Sequence, residues 1–133
     1  MSPHVQTSEF IWQAVTVRPL TVWRTALDQK RPYLDLGDAV RALCFIIERD
    51  HFTNELYNVV TVNATVGDII DFIRGFVPDL KVSFVESQIM NQLSYHVSSA
   101  KFQALGFTAG GRLQQGIKDT LAHLAGLTRR RIS

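Results

Sequence analysis

Between Thr65 and Pro78 the sequence TVGDIIDFIRGFVP leaves the chain little conformational choice. Thr65 and Asp68 stand three residues apart, the spacing at which a hydroxyl and a carboxylate can each accept from the other's backbone N–H at a helix start. Behind them Val66, Ile69, Ile70, Ile73 and Val77 recur at intervals of three and four, which predicts a helix with one apolar face. Pro78 has no N–H to continue the ladder and ends it. The stretch that follows, KVSFVES, is rich in β-branched and aromatic residues and predicts a strand with Val82 and Phe84 on one face. A helix that must bury one stripe, followed at once by a short strand, points to a mixed α/β unit.

The same alternation recurs along the chain. In SEFIWQAV, Ser8 is the expected N-cap and Glu9 favours the positive end of a short helix reaching about Val15. Pro19 heads PLTVW, where Leu20 to Trp23 predict a strand. RPYLDL predicts a second strand, after which Asp38 is expected to cap a helix from about Ala39 to Arg49. Ala39, Val40, Ala42, Leu43, Ile46 and Ile47 leave that helix only the narrow polar stripe of Arg41 and Glu48, so burial on most sides is expected. ELYNVV predicts a strand ending in TVNAT. SSAKFQALGF predicts a helix with Ser98 as cap and Gly106 in the left-handed turn after it. In GRLQQGIKDTLAHLAGL, Leu113, Ile117, Leu121 and Leu124 share a face, and Gly126 is expected to stop the helix. Five helices and about four short strands, with no repeat, linker or low-complexity stretch, predict one mixed α/β or α+β domain over residues 1–133.

A net charge of +2 is too small to imply a polyanionic partner, so no nucleic acid is expected, and the basic run TRRRIS at 128–133 reads as a solvated tail. Cys44 is the single cysteine and cannot form an internal disulfide. Within RALCFII it is expected as a small buried hydrophobe, which fits a reducing compartment. No signal-like start and no apolar run of membrane-spanning length occur, so a cytoplasmic protein with no membrane partner is expected. Neither glycine-rich phosphate-loop spacing is present; AGGR at 109–112 precedes a helix and reads as a turn or a weak anion site. The histidines at 4, 51, 96 and 123 lack partners at ligand spacing, so no metal site is expected, and His96 near Ser98 and Ser99 comes without a nucleophile elbow.

Three ordered stretches carry a resemblance: PLTVW, then RPYLDLGDAVRAL, then SYHVSSAKFQALGF with the GRLQQGIKDTL helix. Together they resemble the C-terminal part of the NAD-dependent epimerase/dehydratase family of extended short-chain dehydrogenases/reductases. The resemblance implies the lobe that grips a nucleotide sugar, acting with an upstream Rossmann domain that holds NAD or NADP and the catalytic Tyr and Lys. No cofactor-binding or catalytic residue is expected in this chain itself. Its tyrosines at 33, 57 and 95 are followed four residues later by Gly37, Thr61 and Ser99, so the family's Tyr-x-x-x-Lys is absent.

By the same resemblance Arg31 matches the arginine that contacts the diphosphate, a task for which a planar, permanently charged fork is suited. Leu20, Val22 and Trp23 match the strand lining the base pocket. Gln88 stands near the place where a second phosphate-binding Arg is common, and Arg24 or Lys30 offers replacement charge. The implied function is substrate binding within an epimerase or dehydratase. The alternative is a free-standing, non-catalytic ligand-binding or protein-interaction module of the same fold.

Overall fold

The computed structural model describes residues 7–86 and 94–130. The elements run α1 (Thr7–Val15), β1 (Leu20–Trp23), a 3-10 turn (Arg24–Ala26), β2 (Lys30–Tyr33), α2 (Leu36–Glu48), β3 (Val62–Thr65), α3 (Val66–Phe76), β4 (Val82–Val85), α4 (Ala100–Gln103) and α5 (Leu113–Arg130). Among the described residues, five α-helices and four short strands make the expected mixed α/β lobe. Among the described residues no helix is long and apolar enough to cross a membrane.

The strands form two separate pairs. β1 and β4 run parallel, with Leu20 opposite Val82 and Val22 opposite Phe84. β2 and β3 run antiparallel, with Arg31 opposite Ala64. Helices α1, α3 and α5 pack around β1 in one core of Phe10, Ile11, Leu20, Val22, Ile69, Ile70, Ile73, Ile117 and Leu121. The α3 start is the reciprocal box read from the sequence: Asp68 N–H donates to Thr65 Oγ1 at 3.1 Å and Thr65 N–H to Asp68 Oδ2 at 2.8 Å. A second, smaller core joins α2 to α4 through Ala42, Phe102 and Phe107. Phe45 stands edge-on to both phenylalanines, with ring centroids 5.6 Å apart, a favoured aromatic geometry.

Several expectations are corrected. Helix α1 already includes Ser8, beginning at Thr7. The α2 cap is Asp35, whose carboxylate accepts from Gly37 N–H at 2.9 Å, and Asp38 lies inside the first turn, 1% exposed. α2 is not buried on most sides: Leu36, Val40, Leu43 and Ile47 are exposed, and so is Cys44. The strand expected in ELYNVV begins only at Val62. Residues 55–60 instead pack Tyr57 and Val59 onto the second core, their β propensity answered by side-chain burial. On β4, Val82 reaches the main core while Phe84 stays exposed beneath the Arg24 guanidinium, 4.9 Å above its ring. Ser99, not Ser98, precedes α4, although Ser98 Oγ accepts from Ala100 N–H at 3.3 Å. Gly106 takes φ +103° after α4, as expected. Gly126 does not stop α5, which runs on to Arg130; a glycine ends a helix only where the backbone turns left-handed.

Candidate functional site

Arg31 sits half-buried on β2 and is held from three sides. Its guanidinium donates to Lys30 O and to Gln29 Oε1, both at 3.0 Å, and lies 5.1 Å from the Tyr95 ring centroid. Gln29 is itself 7% exposed, so one edge of the fork is anchored by a buried amide. The segment carrying Tyr95 is in turn fixed to β2: Lys30 N–H donates to Ser94 Oγ at 2.9 Å, and Tyr95 N–H to Lys30 O at 3.3 Å. Neighbouring Tyr33 is packed into the main core, and burial pushes its phenol above the ordinary tyrosine range.

The other sequence-designated residues fall elsewhere. Leu20 and Val22 are 0% and 1% exposed and point into the main core, and the Leu20 N–H already donates to Lys81 O at 2.8 Å beside the β1–β4 pairing. Strand alternation sends Thr21 and Trp23 to the opposite face, where both are half-buried. The Thr21 N–H already donates to Gln13 Oε1 at 3.4 Å. Arg24 pairs with Glu86 at 3.2 Å in an exposed contact. Gln88 lies outside the described residues. Arg31, Leu20, Val22 and Trp23 line neither of two sizeable cavities. One of about 840 Å³ lies between α1, α2 and α5 beside Tyr33 and Thr61, and one of about 510 Å³ lies between α2 and the 51–57 excursion.

The strand that presents Arg31 is positioned by a buried polar junction that sequence reasoning assigned to a helix cap. Asp38 accepts from Thr61 Oγ1 at 2.6 Å, from Gly110 N–H at 2.9 Å and from Gly111 N–H at 3.0 and 3.1 Å, with Arg41 on the same carboxylate. Burial alone would push this carboxyl up, but those donors outweigh it and hold Asp38 below the ordinary carboxylate range. Thr61 Oγ1 also accepts from Asp35 N–H at 2.8 Å, tying the β2–α2 connection to the entry of β3. Gly111 is needed at this junction, since a Cβ there would come within 2.5 Å of Asp35 Cβ and 2.7 Å of Asp38 Oδ2. The glycine pair of AGGR therefore does cradle an anion, and the anion is the chain's own Asp38. No spacing rule joins Asp38 to glycines more than seventy residues away, so only the fold reveals it.

A second polar cluster was equally silent in the sequence. His51 Nε2 lies 2.9 Å from Tyr57 Oη, which donates to Glu55 Oε2 at 2.8 Å. Lys101 reaches Leu56 O at 3.1 Å and sits 4.7 Å over the Tyr57 ring. These contacts pin the 51–57 excursion to α4 and shape one wall of the 510 Å³ cavity.

No protein-family model and no curated protein matches the sequence. Solved structures do match its fold. A UDP-glucose 4-epimerase of Thermotoga maritima, determined with UDP-glucose, superposes with TM-score 0.77 at 18% identity, covering 96% of this chain and 40% of that one. RMD from Pseudomonas aeruginosa, complexed with NADPH, gives 0.75 at 17% identity over 92% of this chain and 42% of that one. The holo form of a GalE-like L-threonine dehydrogenase from Cupriavidus necator gives 0.69 at 22% identity over 93% and 44%. This chain spans less than half the length of each. Its fold is thus the fold of one part of these epimerase and dehydrogenase structures, in keeping with the lobe that the sequence resembles.

Proposed function

We propose that this chain is the substrate-binding, C-terminal portion of an NAD-dependent nucleotide-sugar epimerase or dehydratase, an isomerase or oxidoreductase whose upstream Rossmann domain holds NAD or NADP and the catalytic Tyr and Lys. One observation carries the reading: nearly the whole chain superposes on two fifths of an epimerase structure that contains UDP-glucose. On this reading the ligand is a nucleotide sugar, bound weakly without the cofactor domain, and the working site is cytoplasmic. Arg31 meets the diphosphate. Its stacking on Tyr95 and its bond to the buried Gln29 hold the fork in one orientation, which lowers the ordering cost of binding. Leu20 and Val22 contribute by fixing the strand from the core side, while Trp23, on the opposite face, meets the base. Gln88 takes the place of a second cation.

Titrating UDP and UDP-glucose onto the isotope-labelled chain tests this. Saturable shifts around Arg31 and Trp23 are expected, with a dissociation constant between about 0.1 and 1 mM, the range left to half a pocket. Binding should weaken with salt, because a part-exposed ion pair is screened over about 8 to 10 Å. Arg31→Ala should weaken it by about 1.5 to 3 kcal/mol, and Arg31→Lys should restore only part. Shifts that are absent, or equal in Arg31→Ala, overturn the reading. The exposed apolar ridge of α2 favours the second reading, a non-catalytic interaction module, which would then take its place.

A further inference from the structure

The ring that stacks on Arg31 stands at the surface, with Tyr95 52% exposed, so its place over the guanidinium depends on how the backbone of the 94–97 segment is held. That segment begins alongside β2, where Lys30 N–H donates to Ser94 Oγ at 2.9 Å and Tyr95 N–H to Lys30 O at 3.3 Å. The first contact is exposed and the second is long, so water competes with both. Pro32, further along β2, has no N–H with which to continue the pairing. The next hold comes from the neighbouring strand. Asn63 stands opposite Pro32 on β3, and its side-chain amide clasps the Val97 backbone. Asn63 Nδ2 donates to Val97 O at 3.0 Å, and Val97 N–H donates to Asn63 Oδ1 at 2.9 Å.

This reciprocal pair is the exchange by which one strand holds another, made here by a side chain. A carboxamide carries a donor and an acceptor side by side, which a carboxylate or a hydroxyl does not. Both bonds are part-buried, which makes them the firm attachment of the segment. Tyr95 lies two residues before Val97, and Lys30 O accepts from Arg31 Nη1 at 3.0 Å as well as from Tyr95 N–H. Segment, ring and fork therefore form one unit whose far end is Asn63.

We infer that Asn63 is a positioning residue for the nucleotide-binding arginine: by clasping Val97 it sets the Tyr95 ring against Arg31 and presents the fork to a diphosphate in one orientation. The inference rests on the nucleotide-sugar reading and adds to it a determinant of affinity on β3.

Asn63→Ala in the isotope-labelled chain, titrated with UDP, is the test. Without ligand, the ring current of Tyr95 holds the Arg31 Hε signal upfield in the parent, and in Asn63→Ala that signal should move to the position it takes in Tyr95→Ala. The dissociation constant for UDP should rise about three- to tenfold, the range set by ordering one long side chain on binding. In a Tyr95→Ala background, Asn63→Ala should add less than about twofold, a coupling that a general loss of stability does not produce. An Arg31 signal unmoved in Asn63→Ala, or losses that multiply in the double variant, overturns the inference. A parent that binds UDP while Asn63→Ala binds it equally overturns the inference alone, whereas a parent that binds no UDP overturns the nucleotide-sugar reading and the inference with it. Should Asn63→Ala fail to fold, amide hydrogen exchange in the unmodified chain decides. Coupling is reciprocal, so saturating UDP should slow exchange of the Val97 N–H by the same factor, about three- to tenfold. An unchanged rate overturns the inference equally.

Discussion

Removing the Asp38 carboxylate separates a structural anion from a surface charge. In Asp38→Ala the Thr61 hydroxyl, the Gly110 and Gly111 N–H groups and Arg41 all lose their acceptor. Gly110 is exposed and Arg41 about half exposed, so water replaces much of what those two lose. Gly111 and Thr61 are half-buried, and an unsatisfied buried donor costs about 1 to 3 kcal/mol. The loss should therefore be about 2 to 4 kcal/mol, below the sum for four donors. Asp38→Asn keeps an oxygen for the glycine N–H groups and offers Thr61 an amide to accept from, so about 1 to 2 kcal/mol is expected. The pH dependence fixes the sign. The folded Asp38 carboxyl lies below its unfolded value near 4, so its contribution is complete above about pH 5 and is lost as pH falls through the folded value. Urea unfolding followed by tryptophan fluorescence at pH 7, and in steps down to about pH 2.5, should show parent and Asp38→Asn converging in acid. A cost under about 0.5 kcal/mol for Asp38→Ala at pH 7, or a gap to Asp38→Asn that persists in acid, would refute the reasoning.

Two further changes probe the packing. Ile70→Ala removes a 4% exposed side chain from the main core and should cost about 2 to 5 kcal/mol in the same unfolding assay; a value below about 0.5 would mean the cavity closes or the residue does not pack. Gly111→Ala forces a methyl group against Asp35 and Asp38 and should cost about 1 to 3 kcal/mol, whereas Gly126→Ala, whose added Cβ meets nothing within 4 Å, should be neutral or slightly stabilising.

Features set by neighbours in the sequence were the legible ones. The α3 box and its Pro78 stop, the limits of β1, the left-handed Gly106 and the single apolar face of α5 each depend on residues within one or two turns. What failed was set at long range. Asp35 and Asp38 are both plausible caps by residue type, and the choice between them is made by Gly110 and Gly111, which hold Asp38 inward. An apolar α2 reads as buried all round because composition cannot tell a core from an uncovered ridge. Of the proposed site, Arg31 was singled out by resemblance alone; its anchoring by Gln29 and Tyr95 was not read, since Tyr95 is brought to β2 from 64 residues away.

The packing of α1 against α5 also bears on how the chain is made. Phe10, Ile11 and Ala14 share one core with Ile117 and Leu121, about a hundred residues later in synthesis. β1 likewise finds its parallel neighbour only when β4 has emerged. Contacts this distant close late and slowly. A ribosome that has produced everything through α4 still presents an uncovered aliphatic surface, the kind of surface that chaperones hold. The last eighteen residues of helix therefore act as a closing step, and truncations that shorten α5 should partition toward aggregation during expression well before they abolish secondary structure.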